Sequence, residues 1–326
     1  MVYWLFGAGL VLLALGGEGL IRGGVSLTRA LGFSPVVIGL FAISLGTASP
    51  TLAVAVRAAV WNAPDVVLGT VIGATMINLL LILGLGALIQ PMPGAPKVVL
   101  RDGGAMLAAA IALGALAAQG QIGRREGVLL LGGFVIYAII AAISDWRRSS
   151  EHSVACADAE KRSFGERPSV GGGMFALVVG AICLVLGAHF AVGGALNLGA
   201  AWQVPPFAMA TGVLALGVSL PVLTVTWIAA LRGHTQIAIG HLIATSVFNI
   251  FGVLGIAALV HPLVLSPSVA ITGAFAVFGG VALLLLLVSA NWRLSRSKGA
   301  LLALAYIGYL GYTAWSLGLI PHAMLG

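Results

Sequence analysis

Charge is what this chain has least of. Only 8% of its 326 residues are charged, against about 25% in soluble proteins, and 60% are hydrophobic. A helix needs about 20 apolar residues to cross the hydrocarbon core of a bilayer. Uncharged runs of at least that length occur at 30–56, 66–96, 103–123, 168–231 and 233–292. A water-soluble globular fold is therefore excluded, and the lipid bilayer is the first partner that we expect.

Acidic residues are absent from the second half of the chain, since no Asp or Glu occurs from residue 167 to 326. In the first half, Glu18 is the one carboxylate that we place well inside an apolar run. The two cysteines, Cys156 and Cys183, lie too far apart in sequence for a disulfide framework or a cysteine metal cluster. We expect no cofactor and no certain metal site.

The net charge of +7 comes from basic residues scattered singly or in pairs at the ends of apolar runs. They form no basic face, so nucleic acid is not an expected partner. Such residues instead indicate which loops face the cytoplasm.

Breaks between apolar runs predict an all-α membrane protein with ten transmembrane helices. The predicted spans are 3–22, 34–60, 65–89, 100–119, 124–143, 172–196, 206–231, 236–260, 267–289 and 299–318. The polar stretch 144–170 divides them into two five-helix halves, 1–143 and 171–326. Alternate loops hold 13 of the 16 lysines and arginines. This bias predicts that 144–170 is a cytoplasmic connecting loop and that both termini lie outside the cytoplasm.

A shift of 171 residues aligns 35–87 with 206–258 without a gap. It superimposes Pro, Gly and Asn residues, whose coincidence is less expected by chance than that of apolar ones. With an odd number of helices per half, the second half enters the membrane in the opposite sense. Inverted repeats are typical of secondary transporters, which bind their substrate near the midplane where the repeats meet.

Each half carries a proline inside an apolar helix, four residues after a glycine: Gly46 and Pro50 in the first, Gly217 and Pro221 in the second. Proline removes one helical hydrogen bond, which frees a carbonyl for another donor or for a cation. A packing kink is the alternative at either position alone. The occurrence of both at equivalent positions favours function.

The helix that follows each kink carries a small and polar run. Thr75 and Asn78 share one helical face, as do Ser246 and Asn249. A buried amide or hydroxyl in a lipid-embedded bundle needs a partner, which is either a substrate or the neighbouring helix. The spacing alone leaves both alternatives open.

These segments resemble the sodium/calcium exchanger branch of the cation/calcium antiporters. That family carries a pattern similar to G-[ST]-S-x-P-E-L on one helix and G-N-x-I-G-S-N-x-x-N on the next, in two inverted five-helix halves. The resemblance also includes Leu20-Ile21-Arg22-Gly23-Gly24 and Ala191-Val192-Gly193-Gly194. It implies an antiporter of small cations in a plasma membrane, here a bacterial inner membrane.

The chain departs from the family at the glutamates that bind calcium and sodium, which are replaced by Thr51 and Val222. Calcium prefers six to eight oxygen ligands, usually including carboxylates that offset its charge. The loss of both acids therefore argues against calcium as the substrate. The remaining neutral oxygens suit sodium or another monovalent cation, or else a neutral or anionic solute. The predicted binding residues are Thr47, Ser49, Thr51, Thr75, Asn78, Ser219, Ser246 and Asn249.

Two titratable residues are candidates for proton coupling. Glu18 precedes Arg22 by four residues, which favours a helical ion pair over a role as an ion ligand. His241 replaces an asparagine of the family motif, and an imidazole can exchange a proton near neutral pH. A hydrogen-bonded structural histidine is the alternative.

A different class of function also fits the sequence: a membrane protein that keeps the exchanger fold, has lost transport and acts through partners. The missing glutamates favour it, whereas the Pro, Gly and Asn residues retained in both halves argue against it. An intramembrane enzyme is not expected, because neither Ser49 nor Ser219 has a base near it in sequence.

Overall fold

Helices make up nearly all of the chain that can be described. The computed structural model describes residues 2–30, 44–93, 96–146, 170–231, 235–289 and 291–316. The predicted loop 144–170 lies mostly outside these residues, as do the predicted start of the second helix and Cys156. Within them, Cys183 is a free thiol.

The described part of the first half contains five helices and two short strands. Helix α1 spans Val2–Ala30 and α2 spans Ser44–Val60. Helix α3 consists of Pro64–Met76, a π-helical turn at Ile77–Ile82, and Leu83–Ile89. Strand β1 (Met92–Pro93), α4 (Pro96–Gln119), β2 (Gln121–Ile122) and α5 (Arg124–Trp146) follow.

The second half begins with α6 at Val170–Trp202. Helix α7 consists of Pro206–Met209, a π-helical turn at Ala210–Leu214, and Ala215–Val218, and α8 spans Leu220–Leu231. Helix α9 consists of Thr235–Val247, a π-helical turn at Phe248–Val253, and Leu254–Val260. Strand β3 (Leu263–Val264), α10 (Pro267–Ser289), β4 (Arg293–Leu294) and α11 (Arg296–Ser316) complete it.

The 171-residue shift found in the sequence also relates the structural elements. It carries all three parts of α3, including the π-helical turn, onto the corresponding parts of α9 with the same bounds. It carries β1 onto β3, and α2 onto the stretch 215–231 that holds the end of α7 and all of α8. The two halves are therefore alike in local structure, not only in sequence.

The four short strands join the halves in a crossed pattern. Strand β1 pairs with β4 and β2 pairs with β3, both antiparallel. Each pair thus contains one strand from each half. The chain segments that hold β1 and β4 therefore meet in one pair, and those that hold β2 and β3 meet in the other.

Glycines every seven residues join α1 to α6 over their length. Gly9, Gly16 and Gly23 of α1 face Gly187, Gly180 and Gly173 of α6, in that order, so the two helices run antiparallel. A Cβ added at Gly16 would lie 2.8 Å from the backbone nitrogen of Leu184 and 2.9 Å from the carbonyl oxygen of Gly180. Small residues allow this close approach, which is a main source of helix association in lipid.

We expect Gly16→Ala to lower the free energy of unfolding by about 1–3 kcal/mol, because the added methyl group overpacks the α1–α6 contact. Gly7→Ala is the matched control on the same helix, since no described atom lies within 4 Å of its added Cβ. Thermal unfolding of the purified protein in detergent measures both variants. Equal changes in melting temperature would show that α1 and α6 are not packed this closely.

Seven helices in the described part of the chain are long and apolar enough to cross a membrane. The count is eight if α7 and α8, which are inclined by 44°, form one broken span. Helix α2 is a shorter apolar helix over Leu45–Val60, and α11 is less apolar. Large apolar side chains such as Phe175 and Leu286 are exposed on the outer helices, as expected for a protein solvated by lipid.

The central helices of the bundle are α3 and α9. Every residue from Val66 to Leu80 of α3 is buried, and so is every residue of α9 from Thr245 to Gly255. The other long helices are buried on one side only. Polar residues on α3 and α9 are therefore the furthest from lipid.

One predicted span is not a single helix. The sequence predicts one span over 206–231, but the chain breaks at Ser219 between α7 and α8. The first-half equivalent, α2, remains continuous through Pro50. The residue before each proline differs: Ser49 donates a hydrogen bond to the carbonyl of Gly46, whereas Leu220 has no donor.

Candidate functional site

The predicted site residues are all buried, with exposed fractions from 0% to 7%. They lie on α2, α3, the α7–α8 junction and α9, so both halves contribute. They are Thr47, Ser49, Thr51, Thr75, Asn78, Ser219, Ser246 and Asn249.

Two side-chain contacts link the halves within this group. The amide nitrogen of Asn78 donates to the hydroxyl of Ser246 at 3.5 Å, which joins α3 to α9. The hydroxyl of Thr47 lies 3.5 Å from Nε2 of His241, which joins α2 to α9. The structure therefore brings together residues that lie 168 and 194 positions apart in sequence.

Both asparagines sit in the π-helical turns. Asn78 lies in the turn at Ile77–Ile82 and Asn249 in the equivalent turn at Phe248–Val253. A π-helical turn widens the helix and leaves backbone groups out of the regular ladder, and such turns are frequent at functional sites. No sequence signal in the apolar runs predicted these turns.

Several of the buried polar atoms have no hydrogen-bond partner among the described residues. They are Oγ1 of Thr75, Oδ1 of Asn78, Oγ of Ser219, and both amide atoms of Asn249. Under the 171-residue shift, Asn78 and Ser246 correspond to Asn249 and Thr75, whose side chains do not form the equivalent hydrogen bond. Buried polar atoms are rarely left unpaired, so this group marks a place where a ligand can supply the missing partner.

The two proline kinks meet on α1. A Cβ added at Gly17 would lie 3.0 Å from Cγ of Pro50 and 3.2 Å from Cγ of Pro221. The prolines of the two halves are therefore close together, with only a glycine between them. Sequence reasoning missed Gly17, which forms part of an ordinary small-residue pattern on α1.

At the first kink, a side chain forms a hydrogen bond with the backbone carbonyl that lacks its helical donor. Pro50 has no N–H to donate to the carbonyl of Gly46, and the hydroxyl of Ser49 donates to that carbonyl instead at 2.5 Å. Another donor, rather than a cation, thus occupies the carbonyl that proline frees in the first half. At the second kink, the hydroxyl of Ser219 is buried without a partner.

Each carboxylate whose side chain is described is engaged away from the predicted site. Glu18 pairs with Arg22 at 2.7 Å, as the sequence predicted. Asp102 pairs with Arg101 at 2.6 Å, and Glu126 accepts from the backbone of Gly123. Oδ2 of Asp65 accepts from Ser266, whereas its Oδ1 is buried without a partner among the described residues. In the described part of the chain, no group of three or more His, Cys, Asp or Glu residues can hold a metal ion.

Asp102 corrects the expectation that Glu18 is the one carboxylate deep in an apolar run. Its residue is 1% exposed, and its Oδ1 also accepts from the hydroxyl of Tyr137 at 3.3 Å. The Arg101–Asp102 pair at a predicted helix start is typical of a solvated interface. Asp102 is buried instead, and α5 supplies partners to the pair through Tyr137 and the carbonyl of Ala141.

The two proton-coupling candidates have different surroundings. Glu18 is partly exposed and pairs with Arg22. His241 lies beside Thr47, which is one of the predicted site residues. Although Glu18 follows Gly17 in sequence, its side chain forms the ion pair with Arg22. A role of either residue in proton coupling stays a prediction.

A model of the family described as sodium/calcium exchanger protein matches residues 1–143 and 172–315. The sodium/calcium exchanger MaX1 of Methanosarcina acetivorans is 28% identical over 93% of this chain and 95% of its own length. The putative antiporter CaxA of Alkalimonas amylolytica is 27% identical over 92% of this chain and 95% of its own length.

Solved structures of the sodium-calcium exchanger NCX_Mj have the same fold. One is 26% identical, with a TM-score of 0.63 over 95% of this chain and 99% of the solved chain. The matches to both halves, to the relatives and to these structures agree over nearly the whole sequence. This chain belongs to the sodium/calcium exchanger protein family.

Proposed function

We propose that the chain is a secondary active transporter of a monovalent cation, with the site between its two halves. The observation that carries this proposal is the set of buried hydroxyl and amide atoms of Thr75, Asn78, Ser219 and Asn249 that have no partner among the described residues. These atoms lie on α3, α9 and the α7–α8 junction, and none of them belongs to a carboxylate. Membership of an exchanger family makes a transporter the expected class. Because the hydroxyl and amide groups of the site carry no charge, they favour a monovalent cation as the substrate.

The proposed architecture is ten spans in two inverted five-helix halves, 1–143 and 171–326. The coinciding helix bounds support it, as do the antiparallel packing of α1 on α6 and the exchange of strands between β1–β4 and β2–β3. A two-fold axis in the membrane plane accounts for all three observations, because it maps each strand pair onto the other.

The proposed location is a bacterial inner membrane, with both termini outside and 144–170 in the cytoplasm. The strand pairs support the arrangement of loops, since β1 pairs with β4 as expected if the loops carrying Lys97 and Arg293 share one side. The excess of lysine and arginine on that side assigns it to the cytoplasm.

The substrate follows from the charge of the site. Hydroxyl and amide oxygens offset one positive charge more readily than two, and the penalty for an uncompensated charge rises in a low dielectric. Sodium or a similar monovalent ion therefore fits better than calcium, although calcium is named for relatives of this chain. The proposed ligands are the predicted hydroxyl and amide side chains, together with the backbone carbonyl that Pro221 frees at the second kink.

Transport then requires that the site open to one side at a time. The prolines of both halves lie against Gly17 of α1, so a movement of either half relative to α1 changes the walls of the same site. Alternating access by movement of one repeat against the other is typical of inverted-repeat transporters.

Flux measurements on the protein in liposomes test this proposal. We expect counter-flux of a monovalent cation under imposed gradients of sodium or potassium, and little flux of calcium. Asn249→Ala and Asn78→Ala are expected to reduce the flux by about tenfold or more, since each removes an amide that the site cannot replace. Thr313→Ala is the control, because that buried hydroxyl donates to the carbonyl of Tyr309 on its own helix.

The outcomes separate the competing functions. No flux of sodium, potassium, calcium or protons contradicts the proposal and favours either a protein without transport activity or a carrier of neutral or anionic solutes. Efficient calcium exchange contradicts the substrate assignment alone. Loss of activity in Thr313→Ala equal to that in Asn249→Ala would remove the assignment of the site.

A further inference from the structure

One arginine lies on the same helix as three of the predicted site residues. Arg57 is in the last turn of α2, which spans Ser44–Val60. It follows Thr51 by six residues, so the helix rise places its backbone about 9 Å further along the axis. Thr51 is 2% exposed, whereas the side chain of Arg57 is partly exposed. A fixed positive charge therefore lies close to the predicted site without belonging to it.

The contacts of Arg57 carry no negative charge. Its Nη2 donates to Nδ1 of His189 on α6 at 2.5 Å. Its guanidinium lies 4.1 Å from the centre of the Trp61 ring, and its Nε is buried without a partner among the described residues. Arginine only donates hydrogen bonds and stays protonated, so Nδ1 of His189 is the acceptor and bears no proton. The cluster of Arg57, Trp61 and His189 therefore keeps one full positive charge.

Within the described part of the chain, no carboxylate neutralises this charge. Asp65, in the first turn of α3, is the acidic residue nearest to Arg57 in sequence, and its Oδ2 accepts from Ser266 instead. The 171-residue shift places Ile228 at the position equivalent to Arg57, so the second half has no charge there. The positive charge is thus unbalanced and belongs to the first half alone.

A positive charge near a cation site repels divalent ions twice as strongly as monovalent ions, because the Coulomb energy is proportional to the charge of the ion. Whatever factor the arginine imposes on the affinity for sodium, it imposes the square of that factor on the affinity for calcium. Water and salt weaken the repulsion at a partly exposed side chain. Positive side chains also exclude cations from other transport pathways. Even a moderate repulsion therefore separates sodium from calcium.

We propose that Arg57 is a specificity-determining residue, whose unbalanced charge disfavours divalent cations at the site between the halves. This inference rests on the proposed transport of a monovalent cation. Arg57 contacts no ion and acts across the distance to the site. The loss of the family glutamates at Thr51 and Val222 removes the attraction for calcium, and Arg57 adds a repulsion. Selection against calcium then has two separate sources.

Removal of the charge tests the proposal in liposomes. Sodium flux gives the half-saturating sodium concentration, and calcium added at low sodium gives the calcium concentration that halves the flux. We expect Arg57→Gln to lower the first concentration by about threefold and the second by about tenfold, because the factor for the divalent ion is the square of the other. Arg57→Lys keeps the charge and is expected to match the unmodified protein.

Two control variants separate the charge from the other contacts of this cluster. His189→Leu removes the hydrogen-bond acceptor and leaves the charge of Arg57, so we expect both concentrations to stay within about twofold of their original values. Arg125→Gln removes an exposed arginine from the start of α5 and is expected to change neither concentration.

Three results would overturn the role of the charge while leaving the proposed function intact. They are equal changes for sodium and calcium in Arg57→Gln, the same changes in Arg57→Lys, and changes of equal size in His189→Leu. A higher half-saturating concentration in Arg57→Gln would also overturn it, because the arginine would then attract the transported ion. If the unmodified protein carries no monovalent cation, the proposed function fails, and this inference fails with it.

Discussion

Replacing Arg101 by glutamine is expected to lower the free energy of unfolding by about 3–5 kcal/mol, the effect of removing one member of a buried ion pair. Asp102 is 1% exposed, and both of its carboxylate oxygens accept from the guanidinium of Arg101, at 2.6 Å and 3.1 Å. The hydroxyl of Tyr137 contributes a further hydrogen bond. Without Arg101, the carboxylate loses two hydrogen bonds and the positive charge beside it.

The double variant Arg101→Gln, Asp102→Asn is the control, because it removes both charges and keeps side chains of similar size. We expect it to recover most of the stability lost in Arg101→Gln, since a buried ion pair contributes little net stability once both charges are gone. Chemical unfolding in detergent micelles measures the cycle. A double variant as unstable as Arg101→Gln would show that the charge of Asp102 is not the cause.

The ion pair also connects α4 and α5, which the sequence predicts as two separate spans. Arg101 and Asp102 lie on α4, and their further partners, Tyr137 and the carbonyl of Ala141, lie on α5. Neighbouring spans of the first half are thus joined by charged as well as apolar contacts. Intramembrane ionisable residues usually pair in this way or face the bundle interior.

Much of the fold can be predicted from the repeat in the sequence and from the positions of individual residues. The shift of 171 residues predicted that the halves share their helices, and the bounds of α3 and α9 coincide under it. Gly46 with Pro50 and Gly217 with Pro221 were predicted to break a helix in each half. The second half does break, at Ser219, whereas α2 is continuous through Pro50. These predictions rest on backbone chemistry, which is local and therefore readable from residue types.

The remaining features depend on contacts between distant residues. The difference between the two proline motifs was not predicted, because they look alike until the hydroxyl of Ser49 is placed on the Gly46 carbonyl. The burial of Asp102 and the contact of Gly17 with both prolines depend on how helices pack. The π-helical turns lie inside uniformly apolar runs. In such runs the spacing of apolar residues does not show where a helix takes an extra residue into one turn.

Restoring both family glutamates should convert the neutral site into one that binds calcium. Thr51 and Val222 follow the two prolines, are equivalent under the 171-residue shift, and are each 2% exposed. In the variant Thr51→Glu, Val222→Glu, two carboxylates can offset the two charges of calcium, so we expect calcium affinity to rise by about a hundredfold or more. Calorimetric titration with calcium chloride measures the gain.

Stability gives a second and independent measurement of the same change. Without calcium, two buried carboxylates near one another repel and lose hydration, so the double glutamate variant should melt below the unmodified protein. Calcium binds the folded state and should restore the melting temperature as its concentration rises. Thr51→Gln, Val222→Gln has side chains of the same size without the charge and should show no calcium response.

The single variants decide whether the two positions face one ion. Thr51→Glu or Val222→Glu alone introduces one carboxylate, which neutralises half of the calcium charge and suits a monovalent ion better. If the two positions share a site, the gain in calcium affinity of the double variant exceeds the sum of the single gains in free energy. Additive gains would mean that the residues after Pro50 and Pro221 do not contact the same cation, even though both prolines lie against Gly17.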